Sequence, residues 1–285
     1  SRSINVTRSA WKSSPTLYPV PSSSRPNRLK ATSASVAQMS EKVGLIVPST
    51  SKGRKWEAVG ESYIYSLLIR SFLRTFDKEY QYVFYIGVDA DDPFYSRGDV
   101  ADRLRKVGSA FPQIDIKVIQ LDRPKGHLTL MWNDLCKLAL DEDCTYIFQC
   151  GDDIQFTTRG WVSSCIASMK EHNDVGLTGP LNNNNRILTQ SFVSRKHWDI
   201  FGFFFPPEIK NWCCDDWINE VYKPRHFYPL REHYCSNDGG QPRYDIDNDP
   251  AFASQFQENL QRLRANTSQM AEKDKLRIAA YLSKA

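Results

Sequence analysis

Apolar residues in this chain gather in short unbroken runs separated by longer amphipathic stretches. Val43-Gly44-Leu45-Ile46-Val47, Tyr82–Val88, Ile114–Ile119 and Tyr146–Cys150 are runs of the kind that form fully buried strands. Gly176-Leu177-Thr178 opens a further strand. Between them, residues 57–76, Val100–Val107, Leu128–Leu140 and Trp161–Glu171 carry helical periodicity. Residues 215–222 begin another helix, and 255–282 read as one or two polar amphipathic helices. Strands alternating with helices predict an α/β fold with a mostly parallel sheet flanked by helices. Ligands of such sheets bind at the carboxyl ends of the strands. Here two of those ends are acidic, at Asp89 and at Asp152-Asp153.

Composition separates the ends from the middle. Residues 1–40 hold eleven Ser, four Pro, six Lys or Arg and no acidic residue, a composition that cannot form a core. The expected organisation is therefore a disordered basic arm over 1–42, one domain over 43–240 and a helical C-terminal extension over 241–285. The arm fits the stem of a membrane-anchored secretory enzyme, the remnant of a transit peptide, or an element that docks on a partner. A stem and the tripeptides Asn5-Val6-Thr7 and Asn266-Thr267-Ser268 suit the Golgi lumen, whereas a virus-encoded protein would suit the cytoplasm. The formal charge of +4 belongs to residues 1–40: beyond them, 31 basic residues face 33 acidic ones. That balance gives no basic surface for a nucleic acid. No run reaches the roughly 18–20 apolar residues of a membrane span. Seven cysteines without a CxxC pair make neither a disulfide scaffold nor a zinc site.

Three segments carry candidate chemistry. Gly151-Asp152-Asp153 directly follows a buried strand. Its adjacent carboxylates need a counter-charge, which Mg²⁺ or Mn²⁺ with a diphosphate would supply, although Gly-Asp-Asp is also good turn chemistry. A viral polymerase uses a similar turn, but there it sits in a hairpin, and here helices flank the strand. Cys213-Cys214-Asp215-Asp216-Trp217 opens a helix. Acidic residues there are favoured by the helix dipole, and a carboxylate beside an aromatic wall also suits a general base. His233 follows about one short strand later, and an imidazole can complete an oxygen-rich metal shell; His226 competes for that role.

In this order, Val43–Thr50, Tyr146–Ile154, Phe192–Phe203 and Asp215-Asp216 resemble the nucleotide-sugar-dependent glycosyltransferases of the GT-A fold. More narrowly, the stretch 43–235 is similar to glycosyltransferases of large algal viruses and their cellular relatives. The resemblance implies a GT-A sheet and a nucleoside-diphosphate sugar donor, with a UDP-sugar favoured, and a glycan or glycoconjugate acceptor. It implies that Pro48, Ser49, Thr50 and Asp89 contact base and ribose. It implies that Arg195 helps shape the sugar pocket. The family's Asp-any-Asp motif aligns with Gly151-Asp152-Asp153, so its first Asp is replaced. Asp153, Asp152 and His233 would then hold Mn²⁺ or Mg²⁺. Asp216 would be the base of an inverting transfer of a hexosyl or deoxyhexosyl group, with Asp215 orienting it. Trp212 would be the acceptor platform, since sugar C–H faces pack on aromatic rings. For Phe203–Phe205 core packing is the simpler reading.

Two rivals remain. A GT-A-fold subunit without catalysis would also show a basic arm, a helical tail and a lost metal Asp. A nucleotidyltransferase would need a glycine-rich basic loop after the first strand, and Ser49–Arg54 has a single Gly.

Overall fold

The computed structural model describes residues 40–240 and 256–284. Residues 1–39 of the expected arm and 241–255 of the expected extension lie outside the described residues. The described strands are β1 (Lys42–Ser49), β2 (Gln81–Asp89), β3 (Ile114–Leu121), β4 (Tyr146–Gln149), β5 (Ile154–Phe156), β6 (Leu177–Leu181), β7 (Ser191–Ser194) and β8 (Phe227–Asn237). They form one eight-stranded sheet in the order β3-β2-β1-β4-β7-β6-β8-β5. The strands from β3 to β4 run parallel. β7 is antiparallel to β4 and to β6, β6 and β8 pair parallel, and β5 pairs antiparallel with β8. Four of the seven strand pairs are parallel, so the sheet is mostly parallel as expected, with the antiparallel pairs gathered beyond β4.

Helices cover both faces, which is why β1 and β2 read as continuous apolar runs. Val43, Leu45 and Val47 point into a core shared with α1 (Arg70–Thr75), α2 (Gly98–Ser109) and α4 (Trp161–Glu171). Ile46 points the other way, into a core with α3 (Leu128–Asp141), α5 (Lys196–Phe201) and α6 (Cys214–Tyr222). On that second face Gly44 lets α3 come close: a Cβ there would stand 3.0 Å from the Cβ of Ala139. The last helix, α7 (Phe256–Leu282), joins the same core through Ala271 and Ile278. It is fixed to α6 by Trp217, whose Nε1–H donates to Asp274 at 3.1 Å. No described helix is long and apolar enough to cross a membrane. All seven cysteines are buried thiols.

The helix expected over 57–76 is broken into a 3₁₀ turn at Val59–Glu61, a π-helical stretch at Ile64–Ile69 and α1. Hydroxyls compete with the regular ladder there. Ser62 Oγ donates to the Val59 carbonyl and Ser66 Oγ to the Ser62 carbonyl, at 2.6 and 2.8 Å.

Candidate functional site

The parallel half of the sheet brings the carboxyl ends of β1, β2 and β4 side by side. Ser49 ends β1, and its hydroxyl donates to Asp152 Oδ2 at 2.6 Å. Asp152 is only 1% exposed. Asp92, also buried, shapes the turn after β1. Its carboxylate accepts from Thr50 Oγ1, the Ser51 amide and the Ser51 hydroxyl at 3.1, 2.7 and 2.8 Å, and from the Phe94 and Tyr95 amides. Asp89, at the end of β2, is partly withdrawn from water. That burial holds its carboxyl above the usual range; the Lys125 charge opposes the shift and Asp91 and Asp92 reinforce it. Asp153 lies against the chain that follows β8. Its main-chain carbonyl accepts the Asp238 amide at 2.9 Å, and a Cβ on Gly239 would collide with its carboxylate, so only glycine permits this approach.

The opposite wall is the start of α6. Buried Asn211 positions it, accepting the Trp212 amide at 2.6 Å and donating to the Gly126 carbonyl at 2.8 Å. Cys213 then turns the chain into the helix with φ 69°, a left-handed conformation uncommon for a side-chain-bearing residue. Asp215 and Asp216 follow in the first turn. Burial, reinforced by the Asp216 charge, pushes Asp215 up to about 6. Asp216 is ion-paired with Arg186. Arg186 sits in a loop held at both ends. Asn183 and Asn237 exchange hydrogen bonds at 3.2 and 2.8 Å, while Asn219 of α6 accepts the Leu188 amide and donates to the Leu188 carbonyl.

A cleft of about 660 Å³ lies between the two walls. Pro48, Ser49, Thr50, Asp89, Asp152 and Asp153 line one side, and Trp212, Asp215 and Asp216 the other. A separate groove of about 410 Å³, lined by Arg74 and Arg159 among others, contains none of the sequence-predicted site residues.

No protein-family model matches the sequence, and no curated protein is significantly similar to it. Solved structures do match. Residues 1–349 of S. aureus TarS superpose with a TM-score of 0.51 at 15% identity, covering 83% of this chain and 70% of that one. The same fragment in complex with UDP-GlcNAc gives 0.52 at 17% identity, covering 82% and 70%. The fold is that of the GT-A glycosyltransferases. This chain spans about a third of the longer TarS chain, with 36% of its length covered.

Within the GT-A frame, the structure gathers most of the predicted site and leaves two residues out. Arg195 is exposed at the start of α5, and its amide donates to the Thr145 carbonyl just before β4. That is the amino end of the strand, opposite the cleft. His233 is buried on β8 with both ring nitrogens engaged, by Thr158 Oγ1 at 3.1 Å and Ser164 Oγ at 2.9 Å. It anchors β8 to the start of α4 and does not face the carboxylates. His226 lies just before β8, at the amino end of that strand.

The metal implied by the resemblance therefore lacks its expected donor set. His233 is directed elsewhere, which leaves Asp152, an acceptor of the Ser49 hydroxyl, and Asp153 as the expected members at the cleft. Among the described residues no group of three or more His, Cys, Asp or Glu side chains could share a metal ion. The aromatic expectations divide: Trp212 is half-buried at the cleft, whereas Trp217, Phe204 and Phe205 are core.

Sequence reading missed three features. Asp92 precedes a proline in an acidic turn, a signal for local backbone capture by its carboxylate. Asn182–Asn185 is a run of turn-forming residues whose meaning lies in its distant partners. Leu260 and Arg264 of α7 reach the cleft, and nothing local in the sequence of that helix marks them.

Proposed function

We propose that this chain is an inverting glycosyltransferase that moves a hexosyl or deoxyhexosyl group from a nucleoside-diphosphate sugar, a UDP-sugar by preference, to a hydroxyl of a glycan. One observation carries the reading. A single cleft sets the strand-end carboxylates and the β1 turn against a helix-start carboxylate pair and Trp212. Donor and acceptor need such opposed surfaces. TarS residues 1–349 were crystallised with UDP-GlcNAc, which supports UDP as the nucleotide.

In this reading Pro48, Ser49, Thr50 and Asp89 receive the base and ribose. The turn is held in shape by Asp92, so its donors and acceptors are fixed before the nucleotide arrives. Trp212 offers an apolar face to the acceptor sugar. The acceptor oxygen attacks the anomeric carbon as the bond to the diphosphate breaks. The acceptor proton passes to Asp216, and UDP departs with the bonding electrons. Asp215, raised by burial, sits beside the base and accepts the Asp216 amide at 3.1 Å, fixing the turn from which Asp216 projects.

A second reading, a GT-A-fold subunit without catalysis, is favoured by the donor set that does not converge on a metal. Titration with UDP, GDP, ADP and CMP, each with and without Mn²⁺, separates the two. The enzyme binds one diphosphate nucleotide selectively; the structural subunit binds none.

A further inference from the structure

The pairing of Arg186 with Asp216 is at odds with Asp216 acting as a base. The guanidinium occupies a carboxylate oxygen that would receive the acceptor proton. The loop around Arg186 is nonetheless built to hold it at this point. The Arg186 amide donates to Asn184 Oδ1 at 2.9 Å, and the Asn184 amide to Asn182 Oδ1 at 2.8 Å. The loop's two anchors are Asn237, beside the segment that packs on Asp153, and Asn219 of α6. Arg186 lines the same cleft as the strand-end carboxylates and the base. Its backbone is pinned, while its side chain is 51% exposed and Asp216 only 13%. The more exposed partner of the pair is the arginine.

The same cleft carries cations for a diphosphate: Lys52, Lys125 and Arg264 line it together with Arg186. A diphosphate brought to Asp152 and Asp153 meets two carboxylates, and the expected metal ligands do not converge there. A guanidinium binds phosphate oxygens in a two-pronged geometry, and a diphosphate carries more charge than one carboxylate.

We propose that Arg186 changes partner in the catalytic cycle, leaving Asp216 for the diphosphate of the donor. This rests on the nucleotide-sugar reading above and assigns Arg186 as a positioning residue within it. Donor binding then releases the base: Asp216 loses its cation as the leaving group gains one. The proton of the acceptor hydroxyl has a carboxylate to go to only when the donor is in place, which favours transfer over an unproductive acceptor complex.

The test is a double-mutant cycle read by calorimetric titration of UDP and of uridine. Arg186→Gln is expected to weaken UDP by roughly 10–100-fold, the worth of a charged hydrogen bond, and to leave uridine unchanged. Arg186→Lys should recover part of the loss, since an ammonium still binds phosphate as a point charge. Asp216→Asn removes the competitor for Arg186 and should tighten UDP several-fold in the wild-type background. In the Arg186→Gln background the same change should do nothing. An equal gain in both backgrounds would mean a general charge effect and overturn the exchange. So would an Arg186→Gln variant that loses UDP and uridine alike, because that reports a damaged cleft, or one that keeps full UDP affinity. Wild-type protein that binds neither ligand would refute the nucleotide-sugar reading itself, and the exchange with it.

Discussion

Ser49 and Asp152 stand 103 residues apart and share a hydrogen bond of 2.6 Å. The bond exists because β1 and β4 are parallel neighbours, so that their carboxyl ends meet. Ser49 Oγ also contacts the Tyr95 hydroxyl at 2.6 Å, which ties the turn after β2 to the same point. Replacing Ser49 by Ala removes a partner from a carboxylate that is 1% exposed. The expected cost is about 1–3 kcal/mol of unfolding free energy, measured by urea denaturation, with weaker UDP binding.

Asp92 is expected to matter more for the fold than any residue the resemblance nominates. It accepts five hydrogen bonds from the segments 50–51 and 94–95 while buried. Asp92→Ala should cost about 2–4 kcal/mol and abolish nucleotide binding, because the turn that receives the base loses its shape. Wild-type stability in the alanine variant would contradict this.

Asp215 carries a stability cost that varies with pH. Its carboxyl is raised by burial to about 6 from an ordinary 3.8. A carboxyl raised in the folded state adds stability when protonated, below the unfolded value. That contribution is lost as pH climbs through the folded value, between about 4 and 6. At neutral pH, Asp215→Asn should therefore stabilise the protein by about 1–2 kcal/mol, a figure reduced for the water contact the side chain retains. The gain should vanish near pH 4. Thermal melts of both proteins from pH 4 to pH 8 check the sign.

The strands of the parallel half were legible because both of their faces are covered, leaving runs such as Tyr82–Val88 with no polar interruption. Asp89 and Asp152-Asp153 were legible as residues of the cleft because a strand end in such a sheet is already a location. The antiparallel half was not. β5 has three residues and β7 four, too few to show a period, and their partners lie on β8 and β4. His233 and Arg195 failed for a related reason. Residue type and order suggested roles, but the face of β8 and the start of α5 are set by tertiary packing. The contact of Arg186 with Asp216 joins a loop to the start of a helix 30 residues away, and no local pattern announces it.

His233 offers a clean separation of packing from metal binding. His233→Ala removes the partner of Thr158 and Ser164 and should cost about 1–3 kcal/mol in denaturant melts. The response of UDP binding to Mn²⁺, whatever its size in the wild type, should be the same in the variant. A Mn²⁺ response present in the wild type and lost in His233→Ala would restore the histidine as a ligand.

The central claim is transfer of a sugar across the cleft, with Asp216 as the base. Its most direct test is the release of UDP from UDP-glucose, UDP-galactose and UDP-GlcNAc, with mono- and disaccharides as acceptors, by wild type and Asp216→Asn. The helix start should survive the substitution, since Asn keeps the shape of Asp and the chain is turned into the helix at Cys213. The expected result is acceptor-dependent UDP release by the wild type and a drop of roughly 10²–10⁴-fold in the variant, with UDP still bound. Wild type and variant that both bind UDP and release it at the same rate would contradict the assignment of the base, and a wild type that neither binds nor releases any of these nucleotides would contradict the enzyme.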